Sequence, residues 1–285
     1  MKRLVPIFLL LAVAWGQTST PPSAQSQSIP ADQENVRKAK ILIDQMTQAL
    51  GGQAYLNVQD SSQEGRTYSF HHGQPNSLGV LYWRFAKFPD KERIEFTKKR
   101  DVVYVYNGNK GYEITFKGTA PQDEKTLTEY LRRREYSLEW VLRRWLNDPG
   151  VALLYEGAAV AEQKPAVQVT IMNARNQAVT IYIDPNTHLP IKKSFSWRDP
   201  VDKQRDTEDE VYDAYRPVQG IMTPHNVTRF YNGDMANQRF LNSISYNQGL
   251  SDSMFSANPS YAPNKPPAKR CRWDSAPRRS SRLLW

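Results

Sequence analysis

Apolar residues recur at every second position over much of this chain. Between Gln177 and Trp197, Val179, Ile181 and Ile183 alternate with Ala178, Thr180 and Tyr182. Beyond a turn, Ile191, Phe195 and Trp197 alternate with Lys192, Ser194 and Ser196. A period of two describes a strand with one buried and one wetter face. The intervening Asp184-Pro185-Asn186-Thr187-His188-Leu189-Pro190 supplies turn chemistry. Pro185 presets φ, and the Asp184 and Asn186 side chains bond back to local backbone. The pair reads as a β-hairpin. Similar runs fill Asp60–Phe116 ahead of it and the stretch from Val151 to Gln248 around it, punctuated by Phe88-Pro89-Asp90-Lys91, Asn107-Gly108-Asn109 and Asn232-Gly233-Asp234. In several strands both faces are apolar or aromatic. Leu81, Trp83 and Phe85 point one way and Val80 and Tyr82 the other. Such a sheet is either covered on both faces or curved around an apolar cavity.

Two stretches change period. Val36, Ala39, Ile43, Met46 and Leu50 follow a 3,4 spacing behind Asp32, and Gly51-Gly52 ends that helix. Pro121–Asn147 carries a short face at Leu127, Tyr130 and Leu131. A second helix follows, capped by Ser137, with Leu138, Val141, Leu142, Trp145 and Leu146 on one side. Arg132, Arg133, Arg134, Arg143 and Arg144 fall outside that stripe; Arg143 and Arg144, on the second helix, either meet anionic headgroups or are solvated, and solvation is the expectation. Two strand-rich blocks with helices before and between them give a mainly β (α+β) fold. The expected architecture is an antiparallel half-open β-barrel of about eleven strands with helices packed in or over the mouth.

Composition divides the chain further. Met1-Lys2-Arg3 followed by the apolar run Leu4–Ala14 reads as a signal peptide over residues 1–16, too short to span a bilayer. Residues 17–31 read as a flexible lead-in, 32–258 as the folded domain, and 259–285 as a disordered basic tail. The formal net charge of +9 is misleading. Lys2 and Arg3 carry +2 and the stretch from Pro259 carries +6, which leaves +1 for residues 17–258. A near-neutral domain gives no global field for nucleic acid. Cys271 is the only cysteine, so no disulfide framework exists, and no N-terminal cysteine is present for lipid anchoring. The expected compartment is a bacterial periplasm.

Reactive constellations are sparse. The histidines His71, His72, His188 and His225 have no metal-ligand spacing, and no catalytic motif occurs. Neither metal nor cofactor nor enzymatic activity is expected. Asp206, Glu208 and Glu210 share one strand face and read as a wet or edge-protecting surface. Asn226-Val227-Thr228 matches a glycosylation sequon by chance.

The turn chemistry, taken in order, resembles a known superfamily. The residues that carry the likeness are Ala49-Leu50-Gly51-Gly52, Phe88-Pro89-Asp90-Lys91-Glu92-Arg93, Tyr106 through Tyr112, Tyr182 through Pro190, Tyr215 through Gly220 with Pro224, Asn247, and Leu250-Ser251-Asp252-Ser253-Met254-Phe255. Between about Asp32 and Asn258 the chain resembles the periplasmic lipoprotein-carrier-like superfamily, which includes the outer-membrane lipoprotein-sorting proteins. The basic tail departs from that pattern. The resemblance implies an open antiparallel half-barrel with a helical lid, and a monomer that binds lipid or lipoprotein acyl chains and touches a membrane surface only transiently. Burial of about 0.8 kcal/mol per CH₂ makes an acyl chain a sufficient handle without any catalytic group. Aromatic residues are spread over most strands, and Trp83, Phe85, Tyr104, Trp145 and Trp197 are the expected cavity lining. The alternative is the same fold with a filled interior, an envelope sensing or interaction module with a protein partner.

Overall fold

A computed structural model of the chain describes residues 31–260. The signal-peptide and lead-in stretches lie outside the described residues except for Ala31, and the basic tail does so beyond Ser260. Helix α1 (Ala31–Leu50) is followed by the single turn α2 (Gln53–Leu56). Seven strands come next: β1 (Asp60–His71), β2 (Gln74–Pro75), β3 (Val80–Lys87), β4 (Lys91–Phe96), β5 (Val102–Asn107), β6 (Lys110–Thr115) and β7 (Gly118–Pro121). A helical connection holds α3 (Glu124–Glu135) and α4 (Leu138–Arg143). The second strand block is β8 (Ala152–Ala161), β9 (Lys164–Met172), β10 (Ala178–Ile183), β11 (Pro190–Arg198), β12 (Arg205–Val218), β13 (Ile221–Tyr231) and β14 (Asp234–Tyr246). The 3₁₀ turn Asp252–Phe255 follows.

All fourteen strands belong to one antiparallel sheet, in the order β7-β6-β5-β4-β3-β1-β14-β13-β12-β11-β10-β9-β8, with β2 paired to β1. The sheet does not close. Its two edges, β7 and β8, are consecutive in the chain and are joined by the α3–α4 connection. The expected half-open barrel with helices at its mouth is therefore what forms, with more than the expected eleven strands. Gln74–Pro75 and Gly118–Pro121 are too short to show alternation.

The local signals act as the sequence implies. In the β10–β11 hairpin Val179 faces Phe195 and Ile181 faces Lys193. The Asp184 carboxylate accepts from the backbone N–H of Asn186 at 2.8 Å and of Thr187 at 3.0 Å, which fixes the turn. The Ser137 hydroxyl accepts from Trp140 N–H at 3.2 Å and caps α4. Gly51 does more than end α1. It has φ +127°, and a Cβ there would lie 2.6 Å from the Gly220 carbonyl oxygen. The helix C-terminus thus meets the β12–β13 turn through backbone alone.

The main core lies on the concave side of one half of the sheet. Ala39, Ile43, Met46 and Leu50 of α1 and Val141 and Leu142 of α4, with Trp145, pack on Val169, Ile171, Val179, Ile181, Ile183 and Phe195. These are the helical stripe and alternating strand residues read from the sequence, except that Val36 is exposed and Ile191 packs instead with Ala161 and Ala166. On the convex side the Asp252–Phe255 turn packs on β4 and β5. There Asn107 Nδ2 donates to the Phe255 carbonyl at 3.3 Å, and Phe255 is buried. Asp60 holds the preceding loop by accepting three backbone N–H bonds, from Gln248, Gly249 and Leu250, at 2.7, 2.9 and 3.0 Å.

Candidate functional site

The other half of the concave face is open. Two cavities of about 200 and 190 Å³ adjoin there and share Tyr82, Arg84, Glu210 and Arg239 as walls. A third, of about 530 Å³, lies at the mouth between α3 and the β11–β12 hairpin and shares Arg133 with the first. Together they form a trough beneath the helical connection.

Strand alternation decides which side chains reach it. In β3 Tyr82 and Arg84 face in; in β5 Tyr104 and Tyr106 do; in β4 Glu92, Ile94 and Phe96. In β13 Ile221, Thr223, His225, Val227 and Arg229 share the inward phase. In β14 the phase changes midway. Ser243 pairs with Glu64 and Leu241 with Gly65, so Asn242 is an extra residue, and Asn237, Arg239 and Leu241 before it and Ile244 and Tyr246 after it all face in. Opposite, Gly65 makes room for a ring. A Cβ on it would lie 2.3 Å from the Phe240 carbonyl oxygen and 2.8 Å from the Tyr82 hydroxyl.

The trough is charged as well as aromatic. Arg84 Nε and Nη2 donate to the two Glu92 oxygens at 2.9 and 3.0 Å. Lys193 Nζ lies 2.8 Å from Glu210, and their side chains are only 2% and 18% exposed. Tyr212 Oη also donates to Glu210, at 2.9 Å. Burial disfavours ionising Glu210, but the Lys193 ammonium and the Arg239 guanidinium outweigh it and hold the carboxyl well below its usual range. Glu92 is likewise lowered: burial opposes ionisation and the Arg84 guanidinium overcomes it. Arg229 is pushed down to about 10, by burial and then by the neighbouring Arg133 charge.

Helix α3 roofs the first cavity. The Tyr130 ring stacks on Tyr106 with centroids 3.4 Å apart, and its hydroxyl donates to Glu92 at 3.3 Å. Arg134 ties the helix to the β5–β6 turn, donating to the Gly108 carbonyl at 2.6 Å and to Asn109 Oδ1 at 3.1 Å. Arg132 lies over the Trp197 ring at 4.0 Å and Arg143 over Phe88 at 3.5 Å. The expectation of solvation holds for Arg144, which is exposed, and is corrected for Arg143. An apolar stripe on a short helix does not reveal that its polar flank also faces a wall.

The acidic strand face is corrected too. Asp206 and Glu208 are each 5% exposed, on the concave side of β12 rather than on a wet surface. Asp206 accepts from Asn232 Nδ2 at 2.8 Å. Glu208 Oε1 and Trp197 Nε1 are buried without a hydrogen-bond partner among the described residues, and both side chains line the mouth cavity. Alternation put the three carboxylates on one face but not on the correct side of the sheet.

The five aromatic residues expected to line a cavity fall in different places. Tyr104 lines the first cavity, edge-on to Phe96 at 5.2 Å. Trp197 lines the mouth. Trp83 and Phe85 take the outward phase of β3, and the Arg100 guanidinium covers Trp83 at 4.1 Å. Trp145 is 1% exposed within the packed core, edge-on to Tyr136 at 5.4 Å. Sequence reasoning missed Tyr82, Tyr106 and the arginines. The available signal was that Arg84, Arg229 and Arg239 share strand phase with Tyr82, Val227 and Leu241.

Among the described residues no group of His, Cys, Asp and Glu side chains could hold a metal ion, and no helix is long and apolar enough to cross a membrane. His72 and Asp234 approach to 3.8 Å at an exposed edge, and His225 Nδ1 lies 3.0 Å from the Thr223 carbonyl oxygen.

No family model matches the sequence, and no curated protein matches it either. Solved structures share the fold. A DUF1329 family protein from Desulfovibrio piger superposes with a TM-score of 0.55 at 13% identity, covering 78% of this chain and 97% of that one. A domain from Vibrio parahaemolyticus, described as outer-membrane lipoprotein-sorting, superposes with a TM-score of 0.51 at 8% identity, covering 76% of this chain and 97% of that one. The fold is thus shared with these proteins.

Proposed function

We propose that this chain is a carrier of the bacterial envelope that holds an acyl-bearing lipid, or the acyl chains of a lipoprotein, in the open half of its sheet. The observation that carries the reading is the trough itself. Its two inner cavities, about 200 and 190 Å³, together lie within the ~300–1,000 Å³ usual for small-molecule sites. Tyr82, Ile94, Phe96, Tyr104 and Tyr106 give the first an apolar wall, and Leu138, Ile221, Leu241 and Ile244 do so for the second. Binding needs only burial of methylenes against these walls. Trp197 and Arg132 stand at the entrance, and release requires α3 to leave Tyr106. The fold shared with the lipoprotein-sorting domain and the reading of residues 1–16 as a signal peptide support the periplasm as its place of work.

The test is native mass spectrometry of the full chain purified without detergent, before and after organic extraction, followed by titration with a labelled acyl lipid. A lipid-sized mass excess that extraction removes, or saturable binding that Ile94→Trp weakens by filling the first cavity, is expected. A bare polypeptide mass together with no saturable binding would overturn the reading in favour of an interaction module.

A further inference from the structure

The inner cavity is not the uniformly greasy slot that a bare alkyl chain needs. Five arginines line it, Arg84, Arg133, Arg134, Arg229 and Arg239, against two carboxylates, Glu92 and Glu210. Both carboxylates are already engaged. Glu92 takes a two-point bond from Arg84, and Glu210 is held by Lys193 from the adjacent strand. Arg134 serves the β5–β6 turn, and among the described residues Arg133 pairs with Glu129, at 3.7 Å one turn earlier on its own helix. Arg239 makes no side-chain hydrogen bond or ion pair with another described residue, although it lies at the junction of the two inner cavities. Glu139, which faces the second cavity, is the remaining acid in these two walls.

Positive charge therefore exceeds negative charge in a partly enclosed space, where a like-charge cluster is costly. The lowering of Arg229 to about 10, from burial and the nearby Arg133 charge, reflects the same crowding. An arginine fork matches the oxygens of a phosphate or carboxylate better than any other side chain does. The tyrosines and aliphatic side chains on either side offer surface to chains attached to such a group.

We propose that this arginine wall, centred on Arg239, receives the oxyanion head of the bound amphiphile. The cargo class would then be an acidic lipid rather than a neutral one. The proposal rests on the carrier reading and adds the head group to it. A charged head drawn to the cavity junction sends its chains along the two apolar walls, so the arginines also fix the ligand's orientation.

The experiment titrates the full chain with three probes: phosphatidic acid, diacylglycerol with the same chains, and inorganic phosphate. Phosphatidic acid is expected to bind at least about tenfold more tightly than diacylglycerol, the scale of one charge-assisted hydrogen bond. The preference should shrink as salt rises. It should also fall severalfold in Arg239→Gln and be partly restored in Arg239→Lys, which keeps the charge without the fork and separates charge recognition from a folding defect. Equal affinity for the two lipids, unchanged by salt or by Arg239→Gln, would overturn the head-group site and leave the carrier standing. Binding of neither lipid would overturn both. Inorganic phosphate binding as tightly as phosphatidic acid would overturn the lipid assignment in favour of a plain anion site.

Discussion

The two halves of the concave face are built on the same alternating strands and end in opposite states. On β9 to β11 the inward residues Val169, Ile171, Val179, Ile181 and Ile183 are fully covered by α1, α4 and Trp145. On β3 to β5 and β12 to β14 the inward residues are aromatic and charged, and although several, such as Tyr82 and Tyr106, are themselves buried, space remains above them. The boundary runs through Lys193 and Glu210, on adjacent strands. One half holds the fold together and the other stays available. The difference comes from which strands the helices cover, since the strands do not differ in period.

The filled half should be the more sensitive to truncation. Trp145→Ala should remove about 3–5 kcal/mol, the usual cost of deleting a large ring from a packed core, read as a lower urea midpoint. At the boundary, Lys193→Met strands a carboxylate in a buried place and should cost about 3 kcal/mol. The double change Lys193→Met with Glu210→Leu should return most of that. A double variant no more stable than Lys193→Met would mean that the pair does more than neutralise itself.

The open half should also answer to acid. Glu92 and Glu210 are lowered in the folded chain, against unfolded carboxyls near ~4.3. Their contribution is fully present above about pH 5 and fades as pH falls through the folded values. Urea midpoints measured from pH 6 downward should fall, and Glu92→Gln should flatten the fall. The smallest effect belongs to the cavity wall. Tyr104→Ala should cost about 1 kcal/mol, since its ring has little to lose against open space. A loss as large as that of Trp145→Ala would erase the distinction between the halves.

Much of the architecture was readable in the chain because it rests on local rules. The α1 stripe, the Asp184 turn, the Ser137 cap and the strand phases need only neighbouring residues. The site was not readable, for a physical reason. Alternation separates two faces without saying which one curves inward. Leu81, Trp83 and Phe85 are the more apolar phase of β3 and face outward, while Tyr82 and Arg84 face the trough. Nor does sequence show that Lys193, within the apolar phase of β11, meets Glu210 from the next strand. Charges in phase with apolar neighbours were the clue, and here they mark the open half.

The open edges of the sheet also say how the chain could be cut. Every pairing along the sheet joins strands adjacent in sequence order or one short hairpin apart, except β1 with β14, where Ser61 meets Tyr246. That single ladder joins the two meanders into one surface, and closing it spans nearly the whole folded length. The α3–α4 connection carries no strand pairing at all. A break introduced there would leave every ladder but β1–β14 within one fragment, so two fragments divided within it should reassemble on mixing through that seam and the packing of α1 on β8 and β9. A break in any hairpin of the second meander would have to restore register across a severed pair.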